Sequence, residues 1–373
     1  MRPGRCRPAL AALLLLPWLA AWAGIKIEVT DPRYFEREHR VVFPHAEVKL
    51  VTFEFTSARG DGRGKQRARQ LHDLFLEKIH DLQGGAIITY VTPPGQRIES
   101  YRVRAREVAE AQNAQMALWG SIYVDDDGTS YINARLLLVD PPPGIVIELE
   151  DFGADSGVAN PRGIRGLIDA PVMETRIDFN AHENDVAPLA YFLSGLARYY
   201  KGAVREREEA RRWLDGAVDD LETYVRLVPE TVDRSSLAQA HLYLARSYFR
   251  LAEADTGDGR RHELEAAQRH AAESARLNPY AASVPTTRAV ISASSREHRE
   301  TTGEYLRQAI RLAPTDGNVR MNSAVYDAVE GHLEDSIEQL DKAVEVQRLL
   351  KQKPASPQTL RRELGELQAP AGR

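Results

Sequence analysis

SARLNP, residues 274–279, belongs to a repeated pattern that decides the fold of the C-terminal half of the chain. Similar segments, YVRLVP and AIRLAP, occupy residues 224–229 and 309–314, and each ends in proline. Mostly small or apolar residues recur 12, 8 and 5 positions before each proline, and GHLEDSIEQLDKAVEV, residues 331–346, repeats the spacing without the proline. The residues at these offsets are Ala217, Leu221 and Tyr224; Ala267, Ala271 and Ser274; Thr302, Leu306 and Ala309; and Ser336, Leu340 and Ala343.

A second helical pattern precedes two of these segments. LSGLARYYKG, residues 193–202, and LYLARSYFR, residues 242–250, share a Leu-Ala pair and a Tyr at the same spacing, whereas a third copy near TRAVISASS, residues 287–295, is degenerate. A pair of such helices buries small residues where the helices cross, and it needs a neighbouring pair to cover its remaining apolar face. From about residue 184 the sequence therefore predicts an all-α solenoid rather than an ordinary helical bundle.

These offsets resemble those of tetratricopeptide repeats over roughly residues 188–348. The resemblance implies a solenoid of paired helices at 184–348 that binds a protein or peptide. A capping helix and tail at 349–373 would follow it. The first two units depart from the family pattern of about 34 residues, because AVREREEARRWLD and AEADTGDGRRHELE add residues between the paired helices. We expect the first helix and the connection between units to be distorted there.

The resemblance also implies a binding surface. In the tetratricopeptide pattern the first helix of each unit lines a concave groove, and some of its residues contact a bound peptide. Arg198 and Arg246 lie at equivalent positions, and so do Lys201 and Phe249. Two guanidinium groups on one wall could bind a carboxylate or an acidic peptide through charge-assisted hydrogen bonds. The alternative is that both arginines are solvated or neutralised by neighbouring acids.

Residues 48–150 change between period two and period 3.6, which predicts a small α/β or α+β domain in front of the solenoid. VKLVTFEFTS, residues 48–57, alternates as a strand with one buried face, and AIITYV, residues 86–91, is a second strand. REVAEAQNAQM, residues 106–116, is predicted to be a helix. An earlier helix places five apolar residues on one stripe: Leu71, Leu74, Phe75, Ile79 and Leu82.

ALWGSIYVDDDGTSYINARLLLVD, residues 117–140, contains an acidic stretch that could be a cation site or the bend of a hairpin. Apolar residues on both sides of it share one face: Leu118, Ile122, Val124, Ile132, Ala134, Leu136 and Leu138. A calcium loop needs acidic ligands at alternating positions and a later bidentate Glu, which residues 129–131 do not supply. Asp127-Gly128 is a pair favoured in tight turns, so we predict a hairpin and no metal site.

The strand and helix at the start of this domain, together with the hairpin, resemble the small α/β domain of envelope assembly factors. That superfamily includes the curli-secretion pore protein, the penicillin-binding-protein activators and the N-terminal domain of the Tol translocation propeller. The resemblance implies a fold and carries no catalytic signature. The lipid-anchoring cysteine common in those factors is missing, and no extra pair of long alternating strands is available for a membrane barrel.

The first 23 residues have the pattern of a secretory signal. Three arginines, Arg2, Arg5 and Arg7, precede the apolar run ALAALLLLPWLAAWA, residues 9–23. The run is short for a membrane span of about 20 residues, and its small residues at Ala21 and Ala23 fit cleavage before Gly24. We predict a cleaved signal and export, to a periplasm if the organism has one. The alternative is an uncleaved anchor.

Charge and cysteine content narrow the chemistry of the exported chain. The formal charge of -5 disfavours nucleic acid as a partner, and loss of Arg2, Arg5 and Arg7 brings it to about -8. The single cysteine, Cys6, lies inside the signal, so the mature chain has no disulfide and no thiolate ligand. We divide the remaining chain into an N-terminal extension at 24–47 and a Gly/Pro-containing linker at 151–183 between the two domains.

Motifs for catalysis are weak. SARGDGRGKQ, residues 57–66, lacks the Gly spacing and the Ser or Thr of a phosphate-binding loop, which favours a flexible basic loop. HEND, residues 182–185, and RHELEAAQRH, residues 261–270, place His near acids without the spacing that aligns two metal ligands on a helix. We predict no catalytic residue, metal or cofactor.

The sequence as a whole predicts an exported, non-catalytic adaptor or scaffold of the cell envelope. Its partner would be an envelope or periplasmic protein or peptide, and Arg198, Lys201, Arg246 and Phe249 are the candidate contact residues. Two alternatives stay open. One is a self-associating assembly or secretion factor, and the other is an enzyme with a site at the domain junction near His182, Glu183 and Asp185.

Overall fold

The structure is a computed structural model in which two compact units can be described. It describes residues 27–28, 48–57, 62–83, 87–91, 101–124, 130–139, 145–147, 167–169, 176–182, 186–203, 205, 207–231, 233–294 and 299–349. The first unit combines Met1–Asp140 with Asn180–Ala197, and the second combines Pro141–Phe179 with Arg198–Arg373. A small strand-containing N-terminal region and an all-α repeat region are both present, as the sequence predicts.

The N-terminal region is built on one mixed sheet. Its strands are β1 (Ile27–Glu28), β2 (Val48–Thr52), β3 (Thr56–Ser57), β4 (Ile87–Val91), β5 (Met116–Val124), β6 (Ser130–Leu138) and β9 (Arg176–His182), and its helices are α1 (Gly62–Gln83) and α2 (Tyr101–Ala111). The order is β1-β4-β2-β5-β6-β9, and β3 also pairs with β5. Strand β2 runs parallel to β4 and to β5, whereas β5 and β6 form an antiparallel hairpin.

Strand β2 is buried on both faces, so the prediction of one buried face is wrong. Helix α1 covers one face, where the Thr52 hydroxyl and the His72 Nε2 share a hydrogen bond of 2.9 Å. Helix α2 covers the other face, where Val51 belongs to one apolar cluster with Ala105. A strand between two parallel neighbours needs a helix on each side, because parallel sheets are normally covered on both faces. The residues that alternate along β2 in the sequence point to two faces of the sheet, and both faces are buried.

The two helices of this region differ from their predicted outlines. The buried stripe of α1 includes Leu71, Phe75 and Ile79 as predicted, whereas Leu74 is 48 % exposed. Helix α1 already begins at Gly62, so the Gly64-Lys65-Gln66 part of the predicted loop is helical. Helix α2 spans Tyr101–Ala111, earlier than the predicted 106–116. It stops there because the chain turns through Asn113, at a positive φ of 50°.

The hairpin predicted from residues 117–140 is confirmed. Leu118 lies opposite Leu136 and Ile122 lies opposite Ile132, so the predicted apolar face is continuous across both strands. Trp119 on the opposite face is also buried, because it joins the cluster that packs on α2. Residues 125–129, which contain the acidic stretch, lie outside the described residues.

The described residues after 186 form paired helices. Their bounds are α3 (Ala187–Ala203), α4 (Arg207–Leu227), α5 (Arg234–Ala254), α6 (Gly257–Leu277), α7 (Ser283–Ala293), α8 (Arg299–Leu312), α9 (Gly317–Val329) and α10 (Leu333–Leu349). Helices α4, α6 and α8 end just before Pro229, Pro279 and Pro314. Proline disfavours a helical residue in front of it and has no N–H to donate, so it ends each second helix.

The repeated offsets mark the positions where the paired helices cross. All of the residues found by counting back from the prolines, and their equivalents in the last copy, are at most 1 % exposed: Ala217, Leu221, Tyr224, Ala267, Ala271, Ser274, Thr302, Leu306, Ala309, Ser336, Leu340 and Ala343. Two of these polar side chains also bond across the crossing. The Ser274 hydroxyl donates to the Ala238 carbonyl at 2.7 Å, and the Ser336 hydroxyl donates to the Ala324 carbonyl at 2.7 Å. The solenoid predicted from the sequence is confirmed.

The extra residues in the first two repeats lengthen the helices instead of the connections between them. Helices α5 and α6 have 21 residues each, and only Asp255 and Thr256 separate them. Helix α7, in the degenerate third copy, has 11 residues. The N-termini of α5 and α9 are capped by Asp233 and Asp316, whose carboxylates accept backbone N–H bonds from the first turn. The units therefore differ in helix length and keep the same crossing positions.

A larger residue at one crossing should destabilise the repeats. Ala267→Leu forces a side chain into a site with no exposed surface, and we expect a loss of about 1–3 kcal/mol in the free energy of unfolding. Ala272→Leu, the same substitution at an exposed position of α6, should change it by less than about 0.5 kcal/mol. Urea unfolding followed by circular dichroism measures both. Equal losses for the two variants would contradict the assigned crossing.

Candidate partner-binding face

Within the second compact unit, the first helices of successive repeats present a face that holds an extended segment of the same chain. We define the first-helix face by α5, α7 and α9. Two short strands, β7 (Ile145–Ile147) and β8 (Leu167–Asp169), pair antiparallel, with Ile147 opposite Leu167. Strand β8 packs against α7 and α9. Of these two paired strands, β8 covers part of the first-helix face.

Leu167 anchors β8 in the apolar core of the repeats. Its side chain is 0 % exposed and belongs to the same cluster as residues of several helices. The helical members of this cluster are Ala245, Phe249, Ala267, Ala271, Val290, Ile291, Ala293, Met321, Ala324, Val325, Ala328 and Leu340. The buried members of this cluster are mostly aliphatic, and the partly buried Tyr248 and Tyr326 pack against it. Such a site selects an apolar side chain by size and shape.

The cations predicted to line the groove have partners inside the helix pairs. Arg198 Nε lies 3.1 Å from the Asp220 carboxylate of α4. The Arg198 guanidinium passes over Gly216, where a Cβ atom would lie 2.2 Å from Nη1. Lys201 is 6 % exposed, with its ammonium 4.5 Å from the centre of the Trp213 ring. Neutralisation of Arg198 by an acid is the alternative that the sequence leaves open.

The equivalent residues of the next repeat, Arg246 and Phe249, are also buried. Arg246 is 4 % exposed, and its guanidinium lies 5.4 Å from the centre of the Tyr243 ring. Phe249 is 2 % exposed and belongs to the apolar cluster that includes Leu167. Neither side chain is exposed on the surface of the repeats. The assignment of Arg198, Lys201, Arg246 and Phe249 to partner binding stays a prediction, and the burial of the last three does not support it.

Leu167 is a candidate functional residue that sequence reasoning missed. It lies in the stretch assigned to a linker, between glycine-rich segments and prolines. A strand of three residues is shorter than the four to eight residues over which alternation of buried and exposed positions can be recognised, so periodicity cannot detect it. The available signal was the short apolar pair Leu167-Ile168, bounded by Gly166 and Asp169.

A charged cluster links α4 to the α5–α6 connection. Arg211 of α4 donates a bidentate pair of hydrogen bonds to Asp255, and its Nη2 lies 3.5 Å from Glu263 Oε1. Burial raises the pKa of Glu263 to about 7, and the Asp255 charge adds to this shift. The hydrogen bonds from Arg211 lower the pKa of Asp255. Glu263 is therefore the carboxyl that holds a proton near neutral pH.

Two histidines meet where α5 packs on α6. The Nδ1 atoms of His241 and His270 lie 2.9 Å apart, so one ring donates an N–H to the other. Tyr248 stacks on His270 and donates its hydroxyl hydrogen to Glu222 at 2.7 Å. Burial, together with the His270 charge, lowers the pKa of His241 to about 4. Burial also lowers the pKa of His270, and the pair is neutral at pH 7.

Metal sites and membrane spans are absent from the part of the chain that the structure describes. There, no group of three or more His, Cys, Asp or Glu side chains is arranged to hold a metal ion. Among the same residues, no helix is long and apolar enough to cross a membrane. Of the junction site considered from the sequence, Glu183 and Asp185 lie outside the described residues.

Comparisons with known proteins identify structural neighbours. No protein-family model and no curated protein matches the chain. The TPR protein TTC0263 of Thermus thermophilus shares 19 % identity over 50 % of this chain and 91 % of its own, with a TM-score of 0.36. MamA shares 16 % identity over 44 % of this chain and 80 % of its own, with a TM-score of 0.32.

A third neighbour is the TPR2AB domain of yeast Sti1, whose structure was solved with pHSP90. It shares 13 % identity over 49 % of this chain and 92 % of its own, with a TM-score of 0.25. The helical repeat of this chain is established by its own packing at the repeated offsets. The resemblance of the N-terminal region to envelope assembly factors stays a prediction.

Glu263→Gln should stabilise the protein in a pH-dependent way. The folded pKa of about 7 lies above the reference value of 4.5, so the stability that the protonated carboxyl contributes is complete below pH 4.5 and is lost as the pH rises through 7. Glutamine keeps a neutral hydrogen-bond donor there. We expect the variant to be more stable than wild type by about 1–3 kcal/mol at pH 8 and equally stable at pH 4.5.

Urea unfolding at the two pH values measures this difference. Glu265→Gln, at an exposed position of the same helix, is the matched control and should not change the pH dependence. A Glu263→Gln variant that is less stable than wild type at pH 8 would show that the carboxylate is ionised and stabilising in the folded state.

Proposed function

We propose that this protein is an exported, non-catalytic scaffold whose helical repeats bind an extended segment of a partner protein. One observation carries the proposal: the first-helix face accommodates an extended strand and buries its Leu167 side chain. A face that binds an extended segment of its own chain has the shape and chemistry to bind one from another protein. The repeats supply a continuous series of such helices, which suits an adaptor.

The chemistry of the face indicates an apolar anchor in the partner. Arg198 is paired with Asp220, and Lys201 and Arg246 are buried. The residues grouped with Leu167 are apolar. A partner that binds here therefore inserts an aliphatic side chain, and any acidic residues of the partner lie outside this contact.

Export rests on the first 23 residues. The three arginines, the apolar run and the small residues before Gly24 are the features that a signal peptidase substrate requires. The proposed location is the periplasm or the corresponding space outside the inner membrane. A partner in the cell envelope follows from this location, and the N-terminal region is a candidate for a second envelope contact.

Cleavage of the signal can be tested with a single substitution that introduces a charged side chain before the cleavage position. We expect the N-terminus of the periplasmic protein to be Gly24, and we expect Ala23→Arg to block cleavage, because the peptidase requires a small residue there. The blocked precursor keeps residues 1–23 and remains in the membrane fraction. N-terminal sequencing after fractionation measures this. Ala46→Arg, in the N-terminal extension, is the control and should be processed normally.

Partner binding can be tested with mature residues 24–373. We expect affinity capture from envelope extract to recover a defined protein in stoichiometric amount. When the purified partner is added, α5, α7 and α9 should gain protection from hydrogen exchange, whereas the exposed positions of α4 and α6 should not. Recovery of the chain alone, with a larger particle in light scattering, would favour the self-associating assembly factor instead.

A further inference from the structure

The occupied part of the first-helix face raises the question of what β8 does there. Three features define the contact. The segment is extended and pairs antiparallel with β7. It packs against α7 and α9, which are the first helices of two successive repeats. Leu167 is fully buried in the apolar cluster of the repeats. An extended backbone with one buried aliphatic anchor is how a peptide ligand binds a groove between helices.

We infer that β8 is an intramolecular occupant of the partner-binding face. On this inference, the partner presents an extended segment with a leucine-sized apolar side chain that replaces Leu167. The inference rests on the proposed function, since it names the partner chemistry and the regulation of that same face. The bound state with β8 in place is the closed state of the protein, and displacement of β8 opens the face.

The composition of the contact favours an apolar ligand over an acidic one. Ile291 of α7 and Met321 of α9 belong to the cluster that buries Leu167. Two of the cations predicted to line the groove are engaged elsewhere: Arg198 with Asp220, and Lys201 with the Trp213 ring. An acidic side chain at the Leu167 site would lose its hydration among the apolar residues of this cluster, which is strongly unfavourable.

Covalent linkage makes β8 a strong competitor. A segment that belongs to the same chain binds its face in an intramolecular reaction, so its effective concentration exceeds that of a dilute free segment. A free segment at micromolar concentration must compete with it, so its apparent dissociation constant rises by the inverse of the fraction of open molecules. Weakening the Leu167 anchor should therefore increase the affinity for a segment added in trans.

The experiment uses the chain's own segment as the probe. A fluorescein-labelled peptide of residues 162–174, RGIRGLIDAPVME, is titrated with mature residues 24–373 and followed by fluorescence anisotropy. We expect Leu167→Asp to bind the peptide at least about 10-fold more tightly than wild type. The same peptide with Asp at the position of Leu167 should bind neither protein.

A matched control separates the face from a general effect of the substitution. Leu227→Asp places the same change at a residue of α4 that is 41 % exposed, and it should bind the peptide as weakly as wild type. Circular dichroism and thermal unfolding establish that each variant is folded. If Leu167→Asp does not fold, Leu167→Ala removes most of the anchor without introducing a charge, and it should still bind the peptide several-fold more tightly than wild type.

The outcomes distinguish this inference from the proposed function. Tighter peptide binding by Leu167→Asp, together with increased capture of the envelope partner and its release by the peptide, supports both. A folded Leu167 variant that binds the peptide no better than wild type overturns the inference. Partner capture that is equal for wild type and Leu167→Asp, and unaffected by the peptide, also overturns it and leaves the scaffold function in place. Failure of every variant to capture a partner counts against the scaffold function, whereas the anisotropy result still decides the role of β8.

Discussion

Close approach of paired helices is the constraint on which the C-terminal half depends. Alanine, serine and threonine occupy most of the positions where one helix crosses the next, and these positions have almost no exposed surface. Small side chains let the backbones come near enough for serine hydroxyls to reach carbonyls of the neighbouring helix. Each pair then presents an apolar side that the next pair covers. The length of the helices is free to vary as long as these crossings are kept, and the first three units use that freedom.

The parts of the fold that could be predicted from the sequence are those with a period. The buried offset positions, the helix ends at Pro229, Pro279 and Pro314, and the register of the β5–β6 hairpin all follow from spacing alone. Burial on both faces of β2 could not be predicted, because its second cover, α2, comes from a distant part of the chain. The predicted burial of Leu74 is wrong for a similar reason. Leu74 fits the helical spacing of the apolar stripe, but Leu71 and Phe75 are the residues of α1 that are buried.

The candidate site shows the limit of transferring positions within a repeat. Arg198 and Arg246 are equivalent in sequence, yet the first is paired with an acid and the second is 4 % exposed beside a tyrosine ring. Two residues at equivalent positions of a repeat occupy the same place on their helices, but the side chains around them can differ. Leu167 carries no periodic signal, because its strand of three residues packs against helices that lie far along the sequence. Contacts of that kind become visible only in three dimensions.

The docking of β8 also sets an order for folding. The helical pairs are local structures, and each can form as soon as its own residues are available. Leu167 and Met321 belong to one apolar cluster and lie 154 positions apart in the sequence. Loop closure over such a distance is slow and comes after the local helices have formed. A newly synthesised chain therefore passes through a stage in which the repeats are assembled and the surface of α7 and α9 that β8 covers is still bare. In that interval this apolar surface is exposed to chaperones and to premature association.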